Sequence, residues 1–147
     1  MTNSPGMNSI RTPLRKAIVR LVKYFWAGPW TLVGLSIGML GLITGGKAWW
    51  RGGVVEFAGG FVTFYLRWFP LIRNAAAVTL GHVILGRSQQ ALEHSRAHEM
   101  VHVAQYERWG PAFVPAYLAC WVFFGLCGRN PYYDNPFERQ AFRLGGP

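Results

Sequence analysis

His98 and His102 stand four residues apart, with Glu99 directly after the first, in the run His98-Glu99-Met100-Val101-His102. On a helix, positions four apart share one face, so both imidazoles can reach a single ion. Glu99 lies about 100° further round, which sets a carboxylate beside the open position of a metal held by the histidines. There it can take a proton from an attacking water and pass it to a leaving amine. The H-E-x-x-H spacing therefore predicts metal-assisted hydrolysis, with His98 and His102 as metal ligands and Glu99 as the general base. The bland alternative is a histidine pair satisfied by its own core. His94 precedes His98 by one turn, but it lies eight residues, about 12 Å, from His102 and cannot share the ion. It reads as a flank, and His82 as structural.

The motif needs a helix and something to pack it on. Ser88 suits an N-cap, and the chain then runs without Gly or Pro to Gly110-Pro111, a helix stop. Upstream, residues 52–60 read as a short strand between glycine turns, and Ala75 to Gly86 as a β-branched apolar strand. Residues 61–73 are aromatic and ambiguous. These elements predict an α+β fold, a short antiparallel sheet packed on the H-E-x-x-H helix. The strand near Val78–Leu85 would offer its edge to an extended peptide.

HEMVH resembles the active-site helix of zincin metallopeptidases. The runs RAHEMVHVAQYERWGPAFVPAYL and NPYYDNPFERQAF are similar to those of a family of small, uncharacterised bacterial proteins that carry the motif. The resemblance covers about Gly53 to Phe142. It implies a zinc-binding fold, His98 and His102 as ligands and Glu99 as general base, and it brings no substrate with it.

The third ligand is argued from what remains. Gln105 stands where metzincins bend the chain with glycine, so the helix continues straight and the ligand comes from elsewhere. The downstream acids are Glu107, Asp134 and Glu138. Glu107 is about 140° round the helix from His102 and points away. Glu138 follows Pro136 in the first turn of a second helix, which resembles the glutamate ligand of gluzincins. Glu138 is the expected ligand and Asp134 the second choice; the other reading of Glu138 is an acid complementing a helix dipole. Gln105 is placed to hydrogen-bond a ligand, a substrate or solvent. Tyr106, Tyr132, Tyr133 and His82 are candidates for stabilising an oxyanion.

Composition supplies the setting. Of 147 residues, 51% are hydrophobic and only 14% charged, with seven Trp, too few charges to coat a small soluble domain. The net charge is +9, but no stripe of bases interleaved with aromatics suggests a nucleic-acid groove. Instead Arg15, Lys16, Arg20 and Lys23 alternate with apolar residues between Leu14 and Trp26, a basic amphipathic helix suited to anionic lipid. Tyr24 to Gly46 then holds no charge over 23 positions, about 34 Å as a helix. Its Gly34/Gly38 and Gly41/Gly45 steps would admit a second helix. This N-terminal hydrophobic stretch reads as a retained membrane helix rather than a cleaved signal peptide. The bases before it place the N-terminus in the cytoplasm and the rest of the chain outside a bacterial cytoplasmic membrane, with a re-entrant hairpin as the alternative. Trp109 to Gly128 is also uncharged. Either it packs on the catalytic domain and dips into lipid, the favoured reading, or it crosses and Glu138 is not the ligand, because one ion cannot be shared by His98 and Glu138 across a bilayer. Cys120 and Cys127 read as buried small hydrophobes.

The chain is thus expected to divide into a disordered start (1–13), amphipathic and membrane helices (14–50) and a zincin-like minidomain (52–147). The function that follows is a membrane-associated zinc metalloprotease hydrolysing peptide bonds. Its partners are membrane lipid and a peptide or protein substrate, with no nucleic acid. The alternative is a zinc-binding or structural membrane protein that cleaves nothing.

Overall fold

A computed structural model describes residues 7–69 and 75–146, with side chains from residue 13 onward. The described residues form an α+β fold of six helices, one 3-10 turn and a four-stranded sheet. In chain order these are α1 (Met7–Trp26), α2 (Gly28–Ile43), β1 (Lys47–Arg51), β2 (Val54–Ala58), α3 (Phe61–Trp68), β3 (Ala77–Leu80), β4 (Val83–Gly86), α4 (Gln89–Trp109), the 3-10 turn Gly110–Ala112, α5 (Phe113–Leu126) and α6 (Pro136–Gly145). Residues 70–74, within the ambiguous aromatic stretch, lie outside the described residues.

The sheet is mixed, not antiparallel. Its order is β1-β2-β4-β3, with antiparallel hairpins β1–β2 and β3–β4 at the edges and a parallel pair β2–β4 between them. The cause is α3, which carries the chain across the sheet so that β4 re-enters alongside β2 in the same direction. The expected single strand over residues 75–86 is likewise a hairpin, because Gly81 turns the chain at φ +63° and an added Cβ there would overlap the Thr31 hydroxyl.

Side chains alternate across the sheet with period two. Val54, Ala58, Ala77 and Ile84 face Leu92 and Val103 of α4. Phe57, Val83 and Leu85 face the other way, onto Val62 and Leu66 of α3 with Leu35 and Ile37 of α2. Helices therefore cover both faces, and the sheet is the middle layer of three.

The N-terminal apolar run is broken where Gly28-Pro29 suggests. Ala27 is fully buried between α1 and α2, and the two helices bend by 68°. Helix α1 begins at Met7, inside the stretch expected to lack structure. The glycines of α2 do admit close neighbours, but those neighbours are the sheet and α3. Gly34, Gly38 and Gly41 are the buried residues of the helix. A Cβ on Gly34 would sit 2.8 Å from Val83 and one on Gly41 2.7 Å from Val62, while one on Gly38 would overlap the Phe57 ring. Gly38→Ala is therefore expected to destabilise the fold by about 1–3 kcal/mol. Gly28→Ala, with nothing within 4 Å of the added carbon, is the control that leaves the urea midpoint unchanged.

By length and composition, the helical run Gln89–Leu126 is apolar enough to cross a membrane, and the bent pair Pro13–Trp26 and Gly28–Ile43 passes as one further span. Cys120 is half-buried and Cys127 exposed, so only the first has even part of the burial expected of both.

Candidate metal centre

Helix α4 starts where its sequence says it should: the Ser88 hydroxyl accepts from Ala91 N at 3.1 Å. Two of its faces are buried. Leu92 and Val103 share with Glu99 the face toward the sheet, while His98, His102 and Gln105 turn toward α6. The 100° step between His98 and Glu99 is what sends neighbouring residues to different layers.

Helix α6 supplies the third group. Asn135 caps it, accepting from Phe137 N at 3.1 Å, and Pro136 occupies its first turn. Asn135 also donates to Tyr117 O at 3.2 Å, which ties α6 to α5. Glu138, two residues further into that turn, is 4% exposed. Its carboxylate lies 3.1 Å from His98 Nε2 and 3.4 Å from His102 Nε2, and the two Nε2 atoms are 3.2 Å apart. One ligand atom from each of the three residues lies within 4.8 Å of the others, so this buried cluster could hold a metal ion.

The far sides of the imidazoles show that the nitrogens are aimed. His98 Nδ1 lies 3.0 Å from the carbonyl of Gly146, which can only accept, so Nδ1 carries the proton. Gln105 Nε2 donates to the carbonyl of Phe137 at 3.0 Å and to Gln140 at 2.9 Å. That fixes the amide orientation and leaves Gln105 Oε1 to accept from His102 Nδ1 at 2.8 Å. Both Nε2 lone pairs are then free for an ion, the arrangement that outer partners impose on metal-binding histidines. Tyr117 of α5 donates to Glu138 Oε1 at 2.8 Å and orients the carboxylate. Gly145 lets α6 approach this closely, since a Cβ there would lie 2.6 Å from His98 Cα. Two imidazole nitrogens and a carboxylate oxygen are the donor set that borderline divalent ions take. Gln105→Leu is expected to weaken metal binding about 10–100-fold, read by competition with a chromogenic chelator.

The metal-free site is an ion pair. Burial disfavours the charge on Glu138, but hydrogen bonds from His102 and His98, the His102 charge and the Tyr117 hydroxyl outweigh it and hold the carboxyl down at about 2. Burial lowers His102 as well, yet its bonds to Glu138 and Gln105 and the charges of Glu99 and Glu138 carry it up to about 9. A bound cation would replace that proton. Glu99, 5% exposed, is pushed above the ordinary carboxylate value by burial, against the pull of His102, Thr79 and His98. Thr79 of β3 donates to Glu99 Oε2 at 2.7 Å, joining the acid to the edge strand.

The other candidates separate cleanly. Asp134 is paired with Arg129 at 2.8 Å and accepts from Asn130 N, outside the cluster. Glu107 faces away, bonded to Lys23 at 2.6 Å and His82 at 3.3 Å. His82 lies in the β3–β4 turn, stacked on Tyr24 at 4.0 Å, and His94 is exposed. Tyr106 is buried against Phe113 and Phe137, and Tyr133 is exposed. Tyr132 reaches Glu138. Sequence reasoning missed Tyr117, Thr79 and the Gly146 carbonyl: a hydroxyl inside an apolar run, a lone threonine in a strand and a backbone group carry no motif. No family model, curated protein or solved structure matches this chain, and the reading of its function rests on the site.

Proposed function

We propose that this protein is a zinc-dependent peptidase of the zincin type working at a membrane surface. The observation that carries the reading is the convergence of His98, His102 and Glu138 with both outer imidazole nitrogens tied back. A zinc ion held by these three residues supplies Lewis-acid polarisation of a water and of a substrate carbonyl. Glu99, next along the same helix, takes the proton of the attacking water and returns it to the leaving amine. Burial raises its pKa above the ordinary carboxylate value, which favours a group that must hold a proton before releasing it.

Substrate placement follows from the sheet. β3 is an edge strand, and no strand among the described residues pairs with its outer side. An extended peptide added there lies beside Thr79, whose hydroxyl holds Glu99. Tyr132, whose phenol pKa is raised by burial and by the nearby Glu138 charge, is the candidate for stabilising the developing oxyanion. Membrane association accords with the apolar residues exposed on α1, α2 and α5.

The test is cleavage of a mixed peptide library by detergent-purified protein, followed by mass spectrometry. Cleavage that a chelator stops and zinc restores supports the reading. A protein that holds its metal and cuts nothing, with or without added lipid, is the non-catalytic metal-binding protein instead.

A further inference from the structure

The sequence leads one to expect a helix crossing the bilayer ahead of the metal-binding domain, with the N-terminus and that domain on opposite sides. The packing of α2 points elsewhere. Near its start, the Thr31 hydroxyl accepts from His82 N at 3.0 Å. Along its length Gly34, Gly38 and Gly41 rest on Val83, Phe57 and Val62. Just past its end, the Thr44 hydroxyl accepts from Phe61 N at 2.6 Å. The helix, sixteen residues and about 24 Å long, thus packs one side along the sheet and α3. To cross, α2 would drag a four-stranded sheet with two open edges into hydrocarbon, where unpaired peptide groups are not tolerated. On the sheet's other face lie buried Glu56, paired with Arg96, and Thr79.

Helix α5 is limited in another way. Its own fourteen residues rise about 21 Å, so it matches the roughly 30 Å hydrocarbon core only together with the end of α4 in the run Gln89–Leu126. The site also takes His98 and His102 from before it and Glu138 from after it, so the chain enters and returns on one side.

Helix α1 shows what faces the lipid. Leu14, Ile18, Leu21 and Phe25 form one helical stripe, exposed throughout and reaching 87% at Phe25. Lys16, Arg20 and Lys23 lie on the opposite side, and Lys23 is paired with Glu107 of α4. Lys23 thus ties the basic side to α4, while Arg15, Lys16 and Arg20 stay exposed along the rim of a groove of about 410 Å³ in which Glu107 is the acid among the lining residues. The apolar stripe turns outward. Leu32, Val33, Met39 and Ile43 of α2 and Phe123 and Leu126 of α5 are exposed too.

From these placements we propose that the protein is monotopic. The α1 stripe, the outer side of α2 and the end of α5 enter one leaflet of an anionic bilayer, and α1 and the metal site stay on the same side of it. Lipid is the occupant because apolar residues are exposed on helices that diverge by 68°, and because the excess of bases along α1 complements anionic headgroups.

The test uses the full chain with Cys120 and Cys127 replaced by alanine. Single cysteines are placed at exposed Lys16 on α1 or Gln90 at the start of α4, and a membrane-impermeant maleimide is applied to right-side-out and to inverted vesicles. Both positions are expected to react in the same vesicle orientation. Reaction in opposite orientations, or a position that labels in detergent but in neither vesicle, overturns the proposal. So does a chain recovered as a soluble dimer. As a second measurement, Leu21→Gln with Phe25→Gln should lower partitioning onto phosphatidylglycerol vesicles at least about 10-fold; a change under twofold counts against the seat. Neither measurement depends on metal or peptide cleavage.

Discussion

Glu99→Gln is expected to abolish the proposed peptide cleavage and to leave metal binding intact. The expected loss is about 10²–10⁴-fold in kcat, with KM nearly unchanged, because the amide fills the same space but cannot accept the water's proton. The variant should also be at least as stable as the wild type. Glu99 is buried, and burial pushes its pKa above the ordinary value of 4.5, so its charge is unfavourable in the folded state. A raised carboxyl contributes stability below its ordinary pKa and loses it as pH rises through the raised value. In metal-free protein the wild type and Glu99→Gln should therefore match below about pH 4.5, with the variant gaining ground above it. The Thr79 hydroxyl can still donate to the amide oxygen. Kinetics beside urea titrations at two pH values check both halves. Retained activity removes Glu99 from the chemistry.

The second large effect is at Glu138. Glu138→Ala deletes the carboxylate that lies 3.1 Å from His98 Nε2 and 3.4 Å from His102 Nε2. Metal affinity should drop by more than about 100-fold, since even outer partners of ligands are worth 10–100-fold. The histidines report the same loss without metal. Burial by itself lowers the pKa of His102, and Glu138 is the main influence opposing it. In the variant His102 should titrate well below its wild-type value of about 9, seen in its ring-proton shifts by NMR. Asp134→Asn, which alters a group held by Arg129, is the control expected to change neither quantity.

Part of this was legible from residue types alone. The helix carrying His98, Glu99 and His102 announces itself by Ser88, by an interior free of breakers and by Gly110-Pro111. The Asn135-Pro136 start likewise sets Glu138 in a first turn. Both signals are local, fixed by backbone chemistry within a few residues. What stayed hidden depends on partners distant in sequence. Glycines four apart say that something approaches closely, but a helix in lipid and a strand pair leave the same pattern, and here the neighbours are Val83 and Phe57. The hairpin at Gly81 is masked because apolar residues run on both sides of it. Parallel pairing of β2 with β4 rests on α3, whose sequence FVTFYLRW carries no cap. Tyr117 sits in an uncharged run that hydropathy assigns to lipid, yet its hydroxyl holds a ligand.

The most direct measurement is metal per chain by plasma mass spectrometry on the full-length protein purified in detergent. The account predicts close to one zinc per chain, recovered after stripping and resupply and lost in Glu138→Ala. Protein that binds no metal even after resupply, while its urea unfolding remains cooperative, would contradict a metal centre built from His98, His102 and Glu138.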